Sequence, residues 1–397
     1  MVRRHKPDLF MGLLVIVVMS IGLLTMFAIG PRVVQSMNMT YGTHTNEYNY
    51  FIKHAITVAL SIVAIIAGCK FKYDKINGKI ATILVAASVF LCVCVRIFGA
   101  LGASFVTCDK GACRAFRVMG FGFMPSELLK VAALYYMAWL IRDRKSKDEL
   151  DTPRFYVPLA TLLLLVVIAL AWLESDFGST VVIATMIFAM MWVGGVSLKR
   201  LLIMLGIVLA AAGLLVAVTP YRVERILASD TYHVESSLVS IGTGGLFGVG
   251  FGNSVQSTGY LPEAMSDSIF SIICEVIGFV GAGVVLMCFT VILWRMLTVA
   301  QRTHELDRKL FVVGVFAWIV AHVIINIGGM TGLLPMKGIT LPFLSYGGTS
   351  MLFVAYVVGV VLQISSWTAG ETIKEDEDTS SRRGQRGTRY SSSSRRS

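Results

Sequence analysis

The aspartate at position 267 is the residue of this sequence whose surroundings most favour chemistry. It follows the polar segment Gly259-Tyr-Leu-Pro-Glu-Ala-Met-Ser, and an apolar run begins two residues after it, at Ile269. A carboxylate so close to hydrocarbon is costly to keep charged, which makes it a functional-site candidate. An apolar boundary also favours the protonated carboxyl. Asp267 therefore suits a general base that accepts a proton near neutral pH.

Four further charged residues lie close to apolar runs. Glu127 and Lys130 are three residues apart, which places them on one face of a helix. Asp176 lies in a short turn, and Arg114 lies in the loop before Glu127. These charges either form an ion-pair network that holds helices together or line a pocket that binds an anionic group. In the second case an arginine suits phosphate, because guanidinium binds it through two parallel hydrogen bonds.

Two segments are rich in glycine. Residues 242–252 do not form a P-loop, because no Gly-Lys-Ser/Thr follows them. Such a run permits either close helix approach or a flexible re-entrant loop that covers a ligand. Residues 326–350 hold two prolines and six glycines. Irregular backbone at membrane depth is tolerated only where protein or water lines it, so this segment and its Lys337 are expected to form a cavity wall.

The seven cysteines fall into two groups. Cys108 and Cys113 lie together in one loop, where a disulfide can close if the chain turns between them, and the sequence leaves this pairing open. Zinc at this pair would need two more ligands, and none is evident nearby. The other five lie in or at the edge of apolar runs and are interpreted as small apolar residues: Cys69, Cys92, Cys94, Cys274 and Cys288.

The elements that position these residues must be membrane helices. The chain is 55% hydrophobic and only 15% charged, with a mean hydropathy of +0.73, values that a soluble domain of 397 residues could not bury. We predict an all-α polytopic membrane protein with ten transmembrane helices. The predicted spans are residues 10–29, 51–69, 80–97, 126–141, 155–173, 181–196, 201–219, 269–294, 310–327 and 350–367.

Charge in the connections predicts the orientation. With the N-terminus inside, the inner connections carry about twice as many lysines and arginines as the outer ones, and positive loops stay cytoplasmic. An even number of spans returns the C-terminus to the cytoplasm. Asp267 then faces outward, at the end of a large extracytoplasmic loop (residues 220–268) between the seventh and eighth spans. The net charge of +11 reflects this topology and does not indicate nucleic-acid binding.

The chain divides into a membrane domain and a tail. Residues 1–367 form the membrane domain, and residues 368–397 are expected to be a disordered basic cytoplasmic tail. The first apolar stretch lacks an Ala-x-Ala-like site. It is therefore expected to be a retained span rather than a cleaved signal peptide.

Five motifs, in order along the chain, resemble the SEDS family (shape, elongation, division and sporulation), and the division branch more than the elongation branch. The resemblance implies a bacterial peptidoglycan glycosyltransferase that polymerises lipid II at the outer face of the cytoplasmic membrane, at the division septum. The motifs are Pro125-Ser-Glu-Leu-Leu-Lys130, Glu174-Ser-Asp-Phe-Gly178, Ile241-Gly-Thr-Gly-Gly-Leu-Phe-Gly-Val-Gly-Phe-Gly-Asn-Ser254, Tyr260-Leu-Pro-Glu-Ala264 and Leu334-Pro-Met-Lys-Gly-Ile-Thr-Leu-Pro-Phe-Leu-Ser-Tyr-Gly-Gly348.

The resemblance also implies residue roles and partners. Asp267 falls on the catalytic aspartate. Independently of the resemblance, the residues allow a divalent cation, Mg or Mn, held by Asp176 or Glu127 to share the work on the diphosphate. Implied partners are lipid II, a class B penicillin-binding protein and other division proteins. The candidate substrate-binding residues are Arg114, Glu127, Lys130, Asp176, Lys337 and Ser345.

The sequence departs from the family pattern next to the catalytic position. The usual His-Thr-Asp-Phe-Ile-Phe is here Met265-Ser-Asp-Ser-Ile-Phe270, and the tryptophan that follows the arginine is replaced by Phe116. Two other functions therefore stay open at this point, a lipid II flippase and a non-catalytic division scaffold. Charged groups inside a helix bundle also mark transport paths, but no inverted repeat is evident.

Overall fold

Helices make up most of the structure, a computed structural model that describes residues 6–42, 44–109, 112–118, 121–206, 231–335 and 338–367. Residues 198–206 are also helical and lead into the undescribed residues 207–230. The labelled helices are α1 (Leu9–Tyr41), α2 (Asn49–Lys70), α3 (Gly78–Ala100), α4 (Pro125–Ser146), α5 (Pro153–Val166), α6 (Phe177–Gly194), α7 (Thr231–Thr243), α8 (Ile269–Arg302), α9 (Leu306–Met330) and α10 (Thr349–Ser365).

Several helices are long and apolar enough to cross a membrane. The described residues contain seven such stretches of at least 18 residues, so the chain is a multi-pass membrane protein. The predicted seventh span, residues 201–219, lies mostly outside the described residues, and each of the other nine overlaps a helix. The seven stretches are Leu9–Thr40, Asn49–Lys70, Gly78–Ala100, Pro153–Leu173, Phe177–Gly194, Ile269–Arg302 and Leu306–Met330.

Helix α1 is longer than the predicted first span. Its 33 residues extend about 50 Å, which exceeds a hydrocarbon core of about 30 Å. Near its C-terminal end, the hydroxyl of Ser36 donates to the carbonyl of Thr258 at 2.8 Å. Arg32 donates to the carbonyl of Ser254 at 3.3 Å. The end of α1 therefore braces the loop that follows the glycine-rich residues 242–252.

Close backbone approach joins α2 to α10. A Cβ on Gly68 would overlap the backbone at Tyr356, and a Cβ on Gly359 would overlap the backbone at Ile65. Small residues are common at membrane helix interfaces because they let helices approach until their backbones touch. The two glycines therefore fix the distance between these helices.

Ion pairs join helix ends that lie far from Asp267. Asp8, which caps the N-terminus of α1, pairs with Arg295 near the end of α8 at 2.7 Å. Arg142 near the end of α4 pairs with Asp307 at the start of α9 at 2.9 Å. These links tie the first helix and the central helices into one bundle.

The all-α prediction missed a small sheet in the loop before α4. Strands β1 (Val106–Asp109), β2 (Ala112–Val118) and β3 (Phe121–Phe123) form an antiparallel sheet in the order β1-β2-β3. Cys113 and Ala115 alternate on the buried face of β2, the period of two that a half-buried strand requires. Such a short alternation is not visible in hydrophobicity averaged over the roughly 20 residues of a membrane span.

The large loop predicted at residues 220–268 contains the 13-residue helix α7. The sequence did not reveal it because its buried face is polar. The side chains of this face recur at helical spacing and are His233, Ser236, Ser237 and Ser240. A search for apolar periodicity cannot detect such a face.

The glycine-rich residues 242–252 dock backbone to backbone against a break in α8. The break is at Gly278, which has a φ of 71°. On either side of it, Val249 N–H donates to the carbonyl of Glu275 at 2.9 Å, and Phe279 N–H donates to the carbonyl of Gly245 at 2.9 Å. Of the two interpretations of this segment, the structure supports close approach, because these hydrogen bonds fix its backbone.

Candidate active site

Asp267 lies in the turn that leads into α8, where two loops meet. Its side chain is partly exposed, and its backbone carbonyl accepts a hydrogen bond from the Asn326 amide at 2.7 Å. Gly338 packs against the carboxylate, since a Cβ at that position would lie 3.2 Å from Asp267 Oδ2. The carboxylate therefore lies against the loop that carries Lys337, which itself lies outside the described residues.

The loop between α9 and α10 also packs on the segment before Asp267. Tyr346 N–H donates to the carbonyl of Met265 at 2.9 Å. Ser345 is buried, and its hydroxyl accepts a hydrogen bond from Leu341 N–H at 2.8 Å. The hydroxyl of this candidate substrate-binding residue therefore stabilises the loop itself.

Glu127 and Lys130 form a buried ion pair at the start of α4. Lys130 Nζ lies 2.8 Å from Glu127 Oε1, and the two residues are only 1% and 5% exposed. Glu127 Oε2 is buried and has no hydrogen-bond partner among the described residues. Lys130 Nζ also lies 5.5 Å from the ring centre of Trp318. The pair thus lies within α4, Lys130 also contacts α9 through Trp318, and one carboxylate oxygen of Glu127 stays available as an acceptor.

Arg114 is held by the turn between α5 and α6. Its Nε donates to the carbonyl of Glu174 at 3.1 Å, and its Nη2 donates to the carbonyl of Ser175 at 3.0 Å. Ser175 has a φ of 53°, an uncommon conformation for a residue with a side chain. The guanidinium therefore stabilises a strained turn.

The strand that carries Arg114 is cross-linked just before this residue. Cys108 and Cys113 form a disulfide between β1 and β2. Gly99 of α3 packs directly against the Cys113 side chain. The β1-β2 hairpin is therefore packed on the helix bundle next to Arg114.

Asp176 caps α6. Its Oδ1 accepts a hydrogen bond from Ser179 N–H at 2.9 Å, which satisfies one of the free N–H groups at the helix start. A π-helical turn, Val167–Leu173, precedes it, and Asp176 N–H donates to the carbonyl of Leu170 at 2.8 Å. Single π-helical turns are frequent at functional sites. Here the turn positions Asp176 beside Arg114 and Glu174.

Glu174 was missed as a candidate by the sequence analysis. It is fully buried, and the Ser126 hydroxyl and Cys92 thiol lie beside its carboxyl without satisfying hydrogen-bond geometry. Burial, and next the charge of Asp176, raise the pKa of Glu174 to about 8. The available signal was its position at the edge of an apolar run, and Asp267 also lies at such an edge.

Glu275 is a second buried carboxylate, and its role is structural. It is 1% exposed and accepts hydrogen bonds from Ser254 Oγ at 2.6 Å, Val255 N–H at 2.9 Å and Gln256 N–H at 3.2 Å. These bonds hold the loop after the glycine-rich residues 242–252 onto α8. Because several donors satisfy its carboxylate oxygens, a glutamate is tolerated inside an apolar run.

A chain of contacts connects the predicted site residues. From Arg114 it runs through the turn at Glu174 to Ser126 and the Glu127–Lys130 pair. From Lys130 it passes over Trp318 and along α9 to the loop beside Asp267. The described candidates Arg114, Glu127, Lys130 and Asp267 thus lie around one region of the bundle.

Among the described residues there is no complete set of protein ligands for the expected divalent cation. Within them, no three histidine, cysteine, aspartate or glutamate side chains come together. Glu127 is paired with Lys130, and Asp176 caps a helix.

Residues 11–369 match the family of cell cycle proteins that comprises FtsW, RodA and SpoVE. The chain is 30% identical to the "Probable peptidoglycan glycosyltransferase FtsW" of Coxiella burnetii over 365 residues, which cover 86% of this chain and 94% of that protein. A second protein named "Probable peptidoglycan glycosyltransferase FtsW", from Legionella pneumophila, is 35% identical to this chain. The alignment covers 72% of this chain and 74% of that protein. Stage V sporulation protein E of Bacillus subtilis is 29% identical over 92% of this chain and 99% of that protein.

Solved structures share the fold. A chain from a study of the structural coordination of polymerization and crosslinking by a peptidoglycan synthase complex aligns with a TM-score of 0.70 at 23% identity, over 90% of this chain and 97% of that chain. The rod shape determining protein RodA of Thermus thermophilus aligns with a TM-score of 0.65 at 22% identity, over 92% and 98%. Given the match over most of its length, this chain belongs to the FtsW, RodA and SpoVE family of cell cycle proteins.

Proposed function

We propose that the protein is a peptidoglycan glycosyltransferase that polymerises lipid II into glycan strands. The observation that carries the proposal is Asp267, a partly exposed carboxylate at the head of a membrane helix, packed against the loop at Gly338. The relatives of similar length that are named peptidoglycan glycosyltransferase support the same reaction. The division relatives favour septal wall synthesis.

The reaction joins two membrane-anchored disaccharides. Asp267 accepts the proton of the attacking sugar hydroxyl, whose oxygen forms a bond to the anomeric carbon of the second substrate. The bond between that carbon and the diphosphate oxygen breaks, and the polyprenyl diphosphate leaves with the electron pair. Each step conserves the substrate atoms, and the proton remains on Asp267 until solvent removes it.

The leaving diphosphate gains negative charge as its bond breaks. Lys130, Arg114 and Lys337 are the cations we assign to that charge. Lys130 is already desolvated beside Glu127, and a charge in such a low-dielectric place acts more strongly on a nearby anion than it would in water. Arg114 keeps further N–H groups besides the two that bind the turn, because guanidinium has five.

We place this chemistry at the outer face of the bacterial cytoplasmic membrane. Ten spans with both termini in the cytoplasm bring Asp267 to that face, and the excess of lysine and arginine in the inner connections supports this orientation. A class B penicillin-binding protein is the proposed partner that cross-links the strands. The similarity in fold to a chain of a peptidoglycan synthase complex supports such a pairing.

The test is glycan strand formation from labelled lipid II by the purified protein in detergent. Asp267→Asn should abolish it, because asparagine keeps the shape but cannot accept a proton at neutral pH. Asp148→Asn, in the exposed connection between α4 and α5, is the matched control and should retain activity. Polymer formed in detergent requires chemistry and no second leaflet, so the assay also separates this function from a flippase. Near-normal strand formation by folded Asp267→Asn would reject Asp267 as the base.

A further inference from the structure

One face of α9 carries three polar side chains that the proposed reaction does not use. Trp318, His322 and Asn326 recur every four residues, which aligns them on one face of the helix. They are 0%, 2% and 4% exposed. Buried polar groups are costly unless they are hydrogen-bonded, so a row of three on one helix needs an explanation.

Asn326 joins the catalytic turn to the loop beside it. Its Nδ2 lies 2.7 Å from the carbonyl oxygen of Asp267 and 2.6 Å from that of Ile339. An amide nitrogen has two N–H groups, so each carbonyl receives one. The Asn326 side-chain nitrogen thus binds both the turn at Asp267 and the loop at Ile339, which are far apart in the sequence.

His322 holds the next residue of the same loop. Its Nε2 accepts a hydrogen bond from Trp318 Nε1–H at 3.0 Å, so the ring proton lies on Nδ1. That Nδ1–H donates to the carbonyl of Thr340 at 2.9 Å. Both ring nitrogens are therefore assigned, and the ring is neutral in one tautomer.

The same row of residues reaches the buried ion pair. Lys130 Nζ lies 5.5 Å from the ring centre of Trp318, within the range of a cation–π interaction. The cation therefore packs on the residue that orients His322. One helix face thus connects Lys130, the loop at residues 338–340 and Asp267.

We propose that Asn326 and His322 are positioning residues for glycosyl transfer, which hold Asp267 and the loop at residues 338–340 at a fixed separation. Neither residue touches the reacting atoms. They act through the backbone carbonyls of Asp267, Ile339 and Thr340, so that the base and the loop wall beside it move as one unit. This inference rests on the proposed function, because it assigns a role toward Asp267 as the base.

Loss of these hydrogen bonds should reduce turnover more than substrate binding. A displacement of about 1 Å at a catalytic group can cost about 100-fold in rate. We expect Asn326→Leu, which is similar in size but has no donor, to lower kcat by about 100-fold and to change KM for lipid II by less than about twofold. Asn253→Leu, at an exposed asparagine directly after the glycine-rich residues 242–252, is the control.

A pair of variants at His322 separates positioning from simple packing. In His322→Asn the side-chain amide can place an N–H where Nδ1–H lay, whereas His322→Leu cannot donate at all. If positioning is the role, kcat per folded molecule should be at least about tenfold higher for His322→Asn than for His322→Leu. If only packing matters, the order should follow stability, and leucine should exceed asparagine because an apolar side chain is easier to bury.

The measurements are kcat and KM for strand formation from lipid II, with thermal unfolding of each purified variant. A normal kcat per folded molecule in both Asn326→Leu and His322→Leu would overturn the inference, as would a leucine variant that matches His322→Asn. If Asn326→Leu does not fold, the His322 pair decides alone. Asp267→Asn is run in parallel. Activity in that variant would reject the proposed base itself, whereas its loss together with normal Asn326 and His322 variants would reject only the positioning role.

Discussion

Lys130 is the residue at which stability and catalysis are most closely combined. Its ammonium pairs with Glu127 at 2.8 Å inside the bundle, so its removal leaves a buried carboxylate without a partner. Removing one partner of a buried pair costs about 3–5 kcal/mol of folding free energy. We expect Lys130→Met to lower both thermal stability and turnover.

The double variant Lys130→Met with Glu127→Gln distinguishes the two contributions. Glutamine carries no charge, so stability should recover substantially, while turnover should stay low because the cation for the diphosphate is still missing. Thermal unfolding and kcat per folded molecule are measured side by side. A double variant with wild-type turnover would show that the pair contributes only to stability.

The raised pKa of Glu174 predicts that the free energy of unfolding depends on pH. Burial raises the pKa of its carboxyl from 4.5 to about 8. Between these two values the folded protein keeps a proton that the unfolded chain has released. The free energy of unfolding therefore falls as pH rises through that window, by about 1.4 kcal/mol per pH unit from this group.

Glu174→Gln removes this proton-binding group while keeping its size. We expect the variant to gain thermal stability over the wild type at pH 8.5, and to gain less at pH 5. Thermal unfolding at both pH values measures this difference. Glu47→Gln, at an exposed glutamate of the connection between α1 and α2, should show no such gain. Equal shifts at both pH values for Glu174→Gln would contradict the assigned protonation.

At the scale of elements, the sequence predicts the membrane helices, because their positions depend on hydrophobicity. Apolar runs located a helix for each predicted span within the described residues, because burial in lipid or protein requires such runs. Helix α7 escaped this criterion since serines form its buried face. The β1-β2-β3 sheet escaped it since its strands are only three to seven residues long.

The break in α8 is a further feature that hydrophobicity does not show. Gly278 lies inside a largely apolar run, yet its φ of 71° is outside the helical range. Its cause lies elsewhere in the chain, in the glycine-rich residues 242–252, whose backbone bonds to Glu275 and Phe279. A local pattern cannot predict a conformation that a distant segment imposes.

Gly278→Ala should therefore destabilise the fold. Alanine disfavours a positive φ, and its Cβ would overlap the backbone at Gly248 and Leu246. We expect a cost of about 2 kcal/mol or more, seen as a lower unfolding temperature. Gly283→Ala in the same helix is the control. It has open space around its Cα, so it should be neutral or slightly stabilising. Equal unfolding temperatures for the two variants would contradict the docked backbone.

At the scale of the whole molecule, the candidate site combines residues from distant parts of the chain. The sequence identified Asp267, Glu127 and Lys130 because charges beside apolar runs are unusual. It did not identify His322 and Asn326, which lie within a predicted span and interact through backbone carbonyls. A polar residue in a membrane helix can face many neighbours, and only the tertiary structure shows which carbonyl it binds.

The orientation of the molecule determines whether this site can reach its substrate. Asp267 faces outward only if the connection between α1 and α2 is external and that between α4 and α5 is cytoplasmic. Glu47→Cys places an exposed thiol in the first connection, and Ser146→Cys places one at the end of α4, next to the second. The free cysteines of the described chain are buried or partly buried, so the unsubstituted protein is the background control. In intact cells a membrane-impermeant maleimide should label Glu47→Cys and should label Ser146→Cys only after lysis. The reverse result would place Asp267 in the cytoplasm and reject glycan polymerisation at the outer face.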